Sequence, residues 1–300
     1  MKNSSIHKIN VIYICFISFL LIALSACSQM NPKKEKVPAF TVEKIFNLPS
    51  EIVESSGIIF YDSLLWTFND GGHGAILYCL DINTGVIVRK INVEDSKNVD
   101  WEEITQDASS IYVGDIGNNW GNRKDLCIYK ISKSGIHYKK GKASKVHKIH
   151  YSYPDQTNFI YHYNDSPYDC EAMICSGDSL LLFTKNWKTH HSVIYSLPIY
   201  RGDYVARRIC EIDSKGLVTG AAYDPVSGKL AVCGHKNHVP FVMISKMNNL
   251  LNSHKKDFEM IEMNDLNGAQ IEGIAFFNNS IYLSSEKSTL APALYRLKIN

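Results

Sequence analysis

A pair of short β-strand segments recurs along the chain, and this repeat constrains the fold more than any other feature. In the clearest copy, EEIT at 102–105 and IYV at 111–113 flank a polar turn, and a loop rich in Asp, Asn and Gly follows. Five copies begin at Ser56, Glu102, Glu171, Thr219 and Glu272, so that successive starts lie 46, 69, 48 and 53 residues apart. Repeats of about 40–50 residues built from short strands are typical of β-propellers. The sequence therefore predicts an all-β fold, a β-propeller with five blades.

The two ends of the chain indicate how the ring of blades closes. VRKI at 88–91 and VHKI at 146–149 predict the outermost, fourth strands of the first two blades, and the similar VEKI at 42–45 precedes the first repeat. The last repeat reaches Asn300 directly after its third strand. We therefore expect the N-terminal segment to join the last blade as its fourth strand, which closes the ring without an open edge.

The long spacing between the second and third repeats leaves room for an additional element. A sixth blade within 132–168 is an alternative to five, although no second strand pair is visible there. The same region contains the irregular insertion TNFIYHYNDSPY at 157–168. Loops of this size in compact domains are often lids or binding loops. A tyrosine-rich flap that packs over a blade is the other interpretation.

Residues 1–26 have the features of an export signal. Lys2 and Lys8 precede an apolar run, 11–23, that is too short to span a bilayer comfortably. LSAC at 24–27 resembles the lipobox of bacterial lipoproteins, in which the cysteine, here Cys27, carries the lipid. A plain secretory signal with a chance cysteine is the alternative.

This interpretation divides the chain into three parts. We expect a lipoprotein signal peptide at 1–26, a polar tether at 27–37 and the propeller domain at 38–300. The lipid, such as palmitate, on Cys27 would hold the protein to a membrane of the bacterial cell envelope. The outer membrane is favoured, and the domain is expected outside the cytoplasm.

The charge of the mature chain argues against one class of partner. Removal of Lys2 and Lys8 takes the formal net charge from +2 to zero. Affinity for nucleic acid depends largely on the neutralisation of phosphates by basic residues. We therefore expect no nucleic-acid partner.

Six cysteines remain beyond Cys15 in the signal and Cys27. They stand singly in predicted strands without CxxC spacing, so the sequence does not indicate a zinc site. Buried thiols that pack as small hydrophobic side chains are expected. Cys170 and Cys175 are a disulfide candidate by proximity, although both fall on one predicted strand.

Propeller geometry predicts that polar residues from every repeat meet at one end of the channel. If strands A to D run outward from the channel, the start of A, the end of B and the B–C loop lie on the same face, because successive strands are antiparallel. Three glutamates then ring the channel, and Ser56 and Thr219 complete the ring. The candidate ligand-binding residues at this mouth are Asn69, Asp70, Glu102, Asp115, Asn118, Glu171, Lys185, Glu272 and Glu286.

Glu102, Glu171 and Glu272 are also the candidate metal ligands. Carboxylates that point at one axis repel each other unless their charge is offset. Ca²⁺, which takes six to eight oxygen ligands, could offset it, and so could Lys185 and Lys287. The third possibility is that each glutamate only accepts hydrogen bonds from nearby backbone groups. Catalytic residues are not identified, because GxSxG, HExxH and P-loop motifs are absent.

Three tryptophans are predicted near the same mouth. Trp101, Trp120 and Trp187 could stack on a sugar or on an aromatic ligand. They could equally cap hydrophobic blade edges.

The segments SSGIIF, LWTFNDGG, VDWEEITQD, IYVGDIGNN, DCEAM and QIEGIAFF resemble a family of exported bacterial β-propeller lipoproteins. More distantly, the EGIA-type strand starts resemble the esterase-like phytase propellers and other calcium-binding propellers. The resemblance implies an exported propeller and a calcium site. It does not carry phytase or esterase activity across, because Ser56 and Thr219 stand where acidic residues are expected and no Arg/Lys cluster for phosphate is evident.

Two functions follow as expectations. The first is a membrane-anchored propeller that binds a small-molecule or protein ligand, or acts as a scaffold, through its carboxylate-lined mouth. The alternative is a calcium-dependent hydrolase of esters or phosphoesters, in which the same carboxylates hold the ion and orient a water.

Overall fold

Five antiparallel sheets, arranged as the blades of a propeller, account for almost all of the structure. The structure, a computed structural model, describes residues 40–252 and 258–299. In each blade, strands A to D run from the channel outward, and the A strands of neighbouring blades contact each other around the ring. The prediction of an all-β, five-bladed propeller is therefore confirmed.

The repeat predicts the strands of each blade closely. Blade 1 has strands A–D at Ser55–Tyr61, Leu64–Asn69, Ile76–Leu80 and Ile87–Val93. Blade 2 has them at Trp101–Gln106, Ser110–Asp115, Cys127–Ser132 and Val146–Ser152. Blade 3 has them at Asp169–Ser176, Ser179–Lys185, His191–Pro198 and Arg207–Asp213. Blade 4 has them at Leu217–Asp224, Lys229–Lys236, Val239–Lys246 and Glu259–Glu262.

Blade 5 takes its fourth strand from the other end of the chain. Its strands A–C are Gln270–Phe277, Ser280–Glu286 and Ala293–Ile299, and its strand D is Phe40–Asn47. Phe40 pairs with Ile299 and Asn47 with Ala293 in an antiparallel register. The predicted closure of the ring is confirmed.

The C–D connections of three blades reach back onto the preceding blade. The connection of blade 2 forms a small hairpin, Ile136–His137 with Lys142–Ala143, which extends the sheet of blade 1. The connection of blade 3 adds Gly202–Val205 to blade 2, parallel to its strand D. In blade 4 the short helix α1, Met247–Asn252, shares a core cluster with blade 3.

Three 3₁₀ turns complete the regular structure. They lie at Lys133–Gly135, Tyr138–Lys140 and Asn264–Leu266. The region 132–168 therefore contains the hairpin on blade 1, strand D of blade 2 and the insertion, and the described residues form no sixth blade.

The hydrophobic core lies between the blades. Phe68 of blade 1 and Trp101 of blade 2 meet edge to face with ring centroids 5.6 Å apart. Phe60 of blade 1 stacks on Phe277 of blade 5 at 4.1 Å. Trp101 is fully buried, and its indole N–H donates to the carbonyl of Lys97. The suggestion that Trp101 stacks on a ligand is therefore wrong, because the ring is part of the core.

None of the six cysteines of the domain, all within the described residues, forms a disulfide. The Cys170–Cys175 disulfide candidate is wrong, because both residues lie along strand A of blade 3, where they pair with Thr184 and Leu180 of strand B. These partners stand four residues apart on strand B, so the two Cα atoms lie about 13 Å apart, roughly twice the separation that a disulfide spans.

The predictions for the N-terminal segment concern residues that the structure does not describe. The signal peptide, Cys27 and the tether at 27–37 all lie outside 40–252 and 258–299. Within those two ranges, no helix has the length and apolar character needed to cross a membrane.

Candidate functional site

The same irregularity occurs in strand A of every blade. The pairing of A with B shifts register between Ser55 and Ile58 in blade 1, and the other four blades repeat the shift. These shifts lie at Trp101/Glu103, Cys170/Ala172, Val218/Gly220 and Ile271/Gly273. A β-bulge leaves its extra residue out of the pairing and re-aims the side chain. The skipped residues include all five predicted ring residues, Ser56, Glu102, Glu171, Thr219 and Glu272.

Three carboxylates from two blades approach one another at the mouth. Asp70 follows strand B of blade 1, Asp100 directly precedes strand A of blade 2, and Glu102 is the bulge residue of that strand. One carboxylate oxygen of each lies within 4.8 Å of the others. We refer to Asp70, Asp100 and Glu102 as the acidic triad.

Two glycines allow the triad to come together. A Cβ on Gly117, in the B–C loop of blade 2, would collide with Oε1 of Glu102 and Oδ2 of Asp100. A Cβ on Gly71 would lie 2.9 Å from Oδ1 of Asp100. The two loops that flank the triad can therefore lie close to its oxygens because these two positions carry no side chain.

The triad places three acidic groups close together where solvent access is limited. Burial raises the pKa of Glu102 well above its usual range, and the charges of Asp70 and Glu171 raise it further. Burial and then Asp70 raise the pKa of Asp100 to about 7. Among the described residues, none forms a salt bridge with the triad, and none donates a hydrogen bond to the Glu102 carboxylate, whose residue is 6% exposed. The charges of Lys185 and Arg123 lower the pKa values of Asp70 and Asp100 from a distance, and protons or a bound cation can offset the remaining negative charge.

Neighbouring carboxylates differ from the triad because they already have ion-pair or hydrogen-bond partners. Lys185 Nζ lies 2.5 Å from both carboxylate oxygens of Glu171, and it also lies 4.6 Å from the ring centroid of Trp187. Asp169 accepts hydrogen bonds from the backbone N–H of Asn118 at 2.8 Å and from the Trp187 indole at 2.9 Å. Glu171, a predicted metal ligand, is therefore one half of a buried ion pair.

On the other side of the ring, a hydroxyl group meets one of the remaining glutamates. The Ser56 hydroxyl donates to Glu286 at 3.2 Å, whereas the Thr219 hydroxyl donates to the carbonyl of Ile271 at 2.7 Å. Burial is the main cause that raises the pKa of Glu272, to about 7, while Lys185 opposes the rise. Burial and then Glu272 raise the pKa of Glu286 well above its usual range.

Three of the predicted ligand-binding residues hold loops in place. Asn69 accepts the backbone N–H groups of Val53 and Glu54 at 2.9 and 3.0 Å. Asp115 forms a buried ion pair with Arg123 at 2.9 Å and accepts the N–H of Asp100 at 3.1 Å. Asn118 accepts the N–H of Arg123 at 3.0 Å. These contacts fix the segments that carry the triad.

Two acidic residues of this region were missed by the sequence reasoning. Asp100 stands two positions before Glu102 in the DWEE stretch, and alternation along the strand could have placed both on one side. Glu103 is fully buried, and its carboxylate accepts the backbone N–H groups of Ile104 and Ala221, each at 2.9 Å. No local sequence pattern predicts the role of Glu103, because its partner Ala221 belongs to blade 4 and is distant in the sequence.

His235 lies at the blade 4 side of the mouth. Burial lowers its pKa to about 4, and the charge of Lys185 lowers it further. Its Nδ1 is buried and has no hydrogen-bond partner among the described residues. The ring is therefore neutral at physiological pH.

The insertion 157–168 packs against the B–C loop of blade 2. The backbone N–H of Asn164 donates to the carbonyl of Asn119 at 3.1 Å, and the Gln156 side chain donates to the carbonyl of Gly121 at 2.9 Å. Trp120 lies 5.2 Å from Tyr163, centroid to centroid, and is 55% exposed. Of the three tryptophans predicted near the mouth, Trp120 is exposed, Trp187 bonds Asp169, and Trp101 is buried in the core.

Comparison with known proteins supports the fold. No protein-family model matches the sequence, and no curated protein matches it. Among solved structures, Myxococcus xanthus glutaminyl cyclase is 12% identical and has a TM-score of 0.50, covering 88% of this chain and 98% of its own. A luciferin-regenerating enzyme is 10% identical, with a TM-score of 0.47 and coverage of 87% and 95%.

The Cps50 (Swd1) β-propeller domain from Myceliophteria thermophila is 9% identical, with a TM-score of 0.42 and coverage of 87% and 100%. At these identities the likeness shows the fold alone. The chain is similar to β-propeller proteins, some of them enzymes, over nearly the whole described domain.

Proposed function

We propose that this protein is a ligand-binding β-propeller whose channel mouth binds a divalent cation at the acidic triad. The observation that carries the proposal is the approach of Asp70, Asp100 and Glu102 to within 4.8 Å without a salt bridge from any described residue. A bound cation offsets the mutual repulsion that otherwise keeps protons on these groups.

The chemistry of the triad favours Ca²⁺. All three ligand groups are carboxylates, which suit hard cations, whereas Zn²⁺ and Cu²⁺ prefer imidazole or thiolate. The groups come from two backbone segments, at 70 and at 100–102, and Ca²⁺ tolerates such irregular geometry better than Mg²⁺ does. Three carboxylates also leave several of its six to eight positions open toward the mouth.

The neighbouring Glu171 provides an internal comparison. Its charge is met by Lys185, and that of Asp115 by Arg123. The chain thus supplies a basic partner to two buried mouth carboxylates and none to Glu102. This difference supports a role for the triad that the ion pairs do not have.

Thermal unfolding with EDTA or CaCl₂ tests the cation site. We expect Ca²⁺ to raise the melting temperature of the wild type, since a ligand at a hundredfold excess over its dissociation constant stabilises the folded state by about 2.7 kcal/mol. Glu102→Gln should lose this response. Glu272→Gln, a matched change on the bulge of blade 5 outside the triad, should keep it.

Two outcomes decide against the triad. A wild-type melting temperature that ignores both Ca²⁺ and Mg²⁺ removes the cation site altogether. Equal loss of the response in Glu102→Gln and Glu272→Gln would instead place the ion among the three bulge glutamates. Hydrolysis of esters or phosphoesters uses the same ion, so turnover of p-nitrophenyl acetate and p-nitrophenyl phosphate by the loaded protein tests that alternative.

We also propose that a lipid on Cys27 anchors the protein in the bacterial envelope. Strand D of blade 5 runs from Phe40 to Asn47, and the segment after it reaches the mouth, where Val53 accepts the N–H of Lys287 at 2.7 Å. The tether would therefore join the domain about 23 Å from the mouth end of that strand.

Cell fractionation tests the anchor. Cys27→Ser should abolish labelling with radioactive palmitate and move the protein from the membrane pellet to the soluble fraction. If the variant stays in the pellet, the lipobox interpretation is wrong.

A further inference from the structure

We propose that the aromatic wall formed by Trp120 and Tyr163 binds the ring of a neutral saccharide whose hydroxyl groups complete the coordination of the cation at the acidic triad. The cation in this proposal rests on the proposed function. The saccharide subsite rests on separate observations.

The wall presents apolar surface to solvent on a braced support. Trp120, Tyr163 and Ile160 are 55%, 57% and 86% exposed. The segment that carries Tyr163 and Ile160 is held by the Asn164–Asn119 and Gln156–Gly121 hydrogen bonds and by an ion pair between Asp165 and Lys188 of blade 3 at 3.0 Å. A loop that is braced from two blades while it exposes aromatic rings is typical of a binding surface.

Trp120 of the wall lies in the B–C loop of blade 2, and the same loop contacts the triad. Gly117, whose Cα lies against the oxygens of Glu102 and Asp100, is three residues before Trp120. Three residues of extended chain span about 11 Å at most. A disaccharide is long enough to touch both the aromatic wall and an ion held by the triad.

One acceptor at the triad and one beside the wall have no donor partner among the described residues. Glu102 receives no hydrogen bond from the described residues, and the buried Oδ1 of Asn164, beside Tyr163, has no donor partner among them. Unmet buried acceptors favour a ligand that supplies donors. Saccharide hydroxyls donate hydrogen bonds and also ligate Ca²⁺ through oxygen, and the C–H face of the ring packs on an aromatic side chain.

An organic amine would also be rich in donors. Once a divalent cation occupies the triad, however, much of the local negative charge is already offset. A neutral hydroxyl ligand then fills the open coordination positions without the removal of a further charge from water. Saccharide is therefore the occupant that the observations favour.

Isothermal titration calorimetry with maltose, cellobiose, lactose and chitobiose tests the proposal in CaCl₂ and in EDTA. We expect at least one disaccharide to bind in CaCl₂, and EDTA to weaken that binding at least tenfold. Trp120→Ala should weaken it roughly tenfold or more, which corresponds to about 1.4 kcal/mol. The control is Tyr200→Ala, which removes an aromatic ring outside the wall that is 57% exposed. This change should leave disaccharide binding unchanged.

The calcium response of the melting temperature, measured on the same Trp120→Ala protein, separates the two proposals. A retained calcium response with lost saccharide binding supports both. Absence of binding by all four sugars, or equal binding by Trp120→Ala and wild type, overturns the saccharide subsite while the cation site stands. Binding of lysine methyl ester in EDTA, without any sugar binding, assigns the wall to an organic amine instead. If the wild type shows no calcium response but still binds sugar through Trp120, the cation site is overturned and the saccharide subsite stands.

Discussion

The carboxylate of Glu103, on the innermost strand of blade 2, accepts a hydrogen bond of 2.9 Å from the backbone N–H of Ala221, on the innermost strand of blade 4. The two blades are not neighbours in the ring, so this bond crosses the channel. The same carboxylate accepts the N–H of Ile104 at 2.9 Å. One side chain thus connects blade 2 to blade 4 across the axis.

Removal of the Glu103 carboxylate is expected to destabilise the whole ring. Glu103→Ala leaves at least two buried N–H groups without an acceptor, and each costs about 1–3 kcal/mol. We therefore expect a loss of about 3–5 kcal/mol in the free energy of unfolding, measured by urea denaturation. The control is Glu43→Ala, which removes an exposed partner of Arg296 and should change the free energy by less than about 1 kcal/mol. Equal effects of the two changes would contradict the role of Glu103.

Deletion of strand D of blade 5, Phe40–Asn47, should destabilise the domain. The deletion removes four half-buried apolar side chains, those of Phe40, Val42, Ile45 and Phe46, and exposes the edge of strand C. At about 1 kcal/mol for each side chain and about 2–4 °C per kcal/mol, we expect the melting temperature to fall by about 8–16 °C.

A synthetic peptide of sequence FTVEKIFN should restore part of this loss, because it can pair with strand C in the same register. A scrambled peptide of the same composition is the control. An unchanged melting curve after the deletion would rule out ring closure by this strand.

The Lys185–Glu171 ion pair should show strong coupling in a double-mutant cycle. Lys185→Met leaves a buried carboxylate without its cation, and Glu171→Gln leaves a buried ammonium without its anion, so each single change is expected to cost about 3–5 kcal/mol. The double variant should be less destabilised than the sum of the singles by several kcal/mol.

The exposed pair of Lys90 and Glu51 is the matched control for this cycle. Its coupling should lie below about 1 kcal/mol, because water screens both charges. Additive effects at Lys185 and Glu171 would show that the mouth does not depend on their contact.

The stability of the metal-free protein should fall as pH rises. In the folded state, burial raises the pKa of Asp100 and of Glu272 to about 7 each. The unfolded chain therefore binds fewer protons than the folded one between about pH 4 and 7, and the free energy of unfolding decreases through this window. His235 acts in the opposite direction, since its lowered pKa of about 4 removes stability as pH falls below 6.5.

Melting temperatures in EDTA at pH 5 to 8 measure this dependence, with Asp100→Asn as the variant that should flatten it. Ca²⁺ competes with protons for carboxylates, so its stabilising effect should grow over the same range. A calcium effect that is equal at pH 5 and pH 8 would argue that no proton leaves the site when the ion binds.

Local sequence patterns predict much of the fold. The recurrence of strand pairs, the VRKI-like outer strands and the absence of a fourth strand after the last repeat predict five blades and a closure by residues 40–47. These features are local because strand propensity and turn chemistry act over a few residues. The positions of Glu102, Glu171 and Glu272 at the channel also follow from the repeat, since each occupies the same place in its blade.

The state of each of those glutamates was decided only by tertiary structure. Glu171 meets Lys185 within blade 3, the charge of the same lysine lowers the pKa of Glu272, and Glu102 meets Asp70 from blade 1. The sequence alone determined a ring of equivalent positions, because periodicity fixes where a side chain points. Packing between blades determined which position pairs with a basic side chain and which faces other carboxylates, because Coulombic energies depend on distances between residues far apart in the chain.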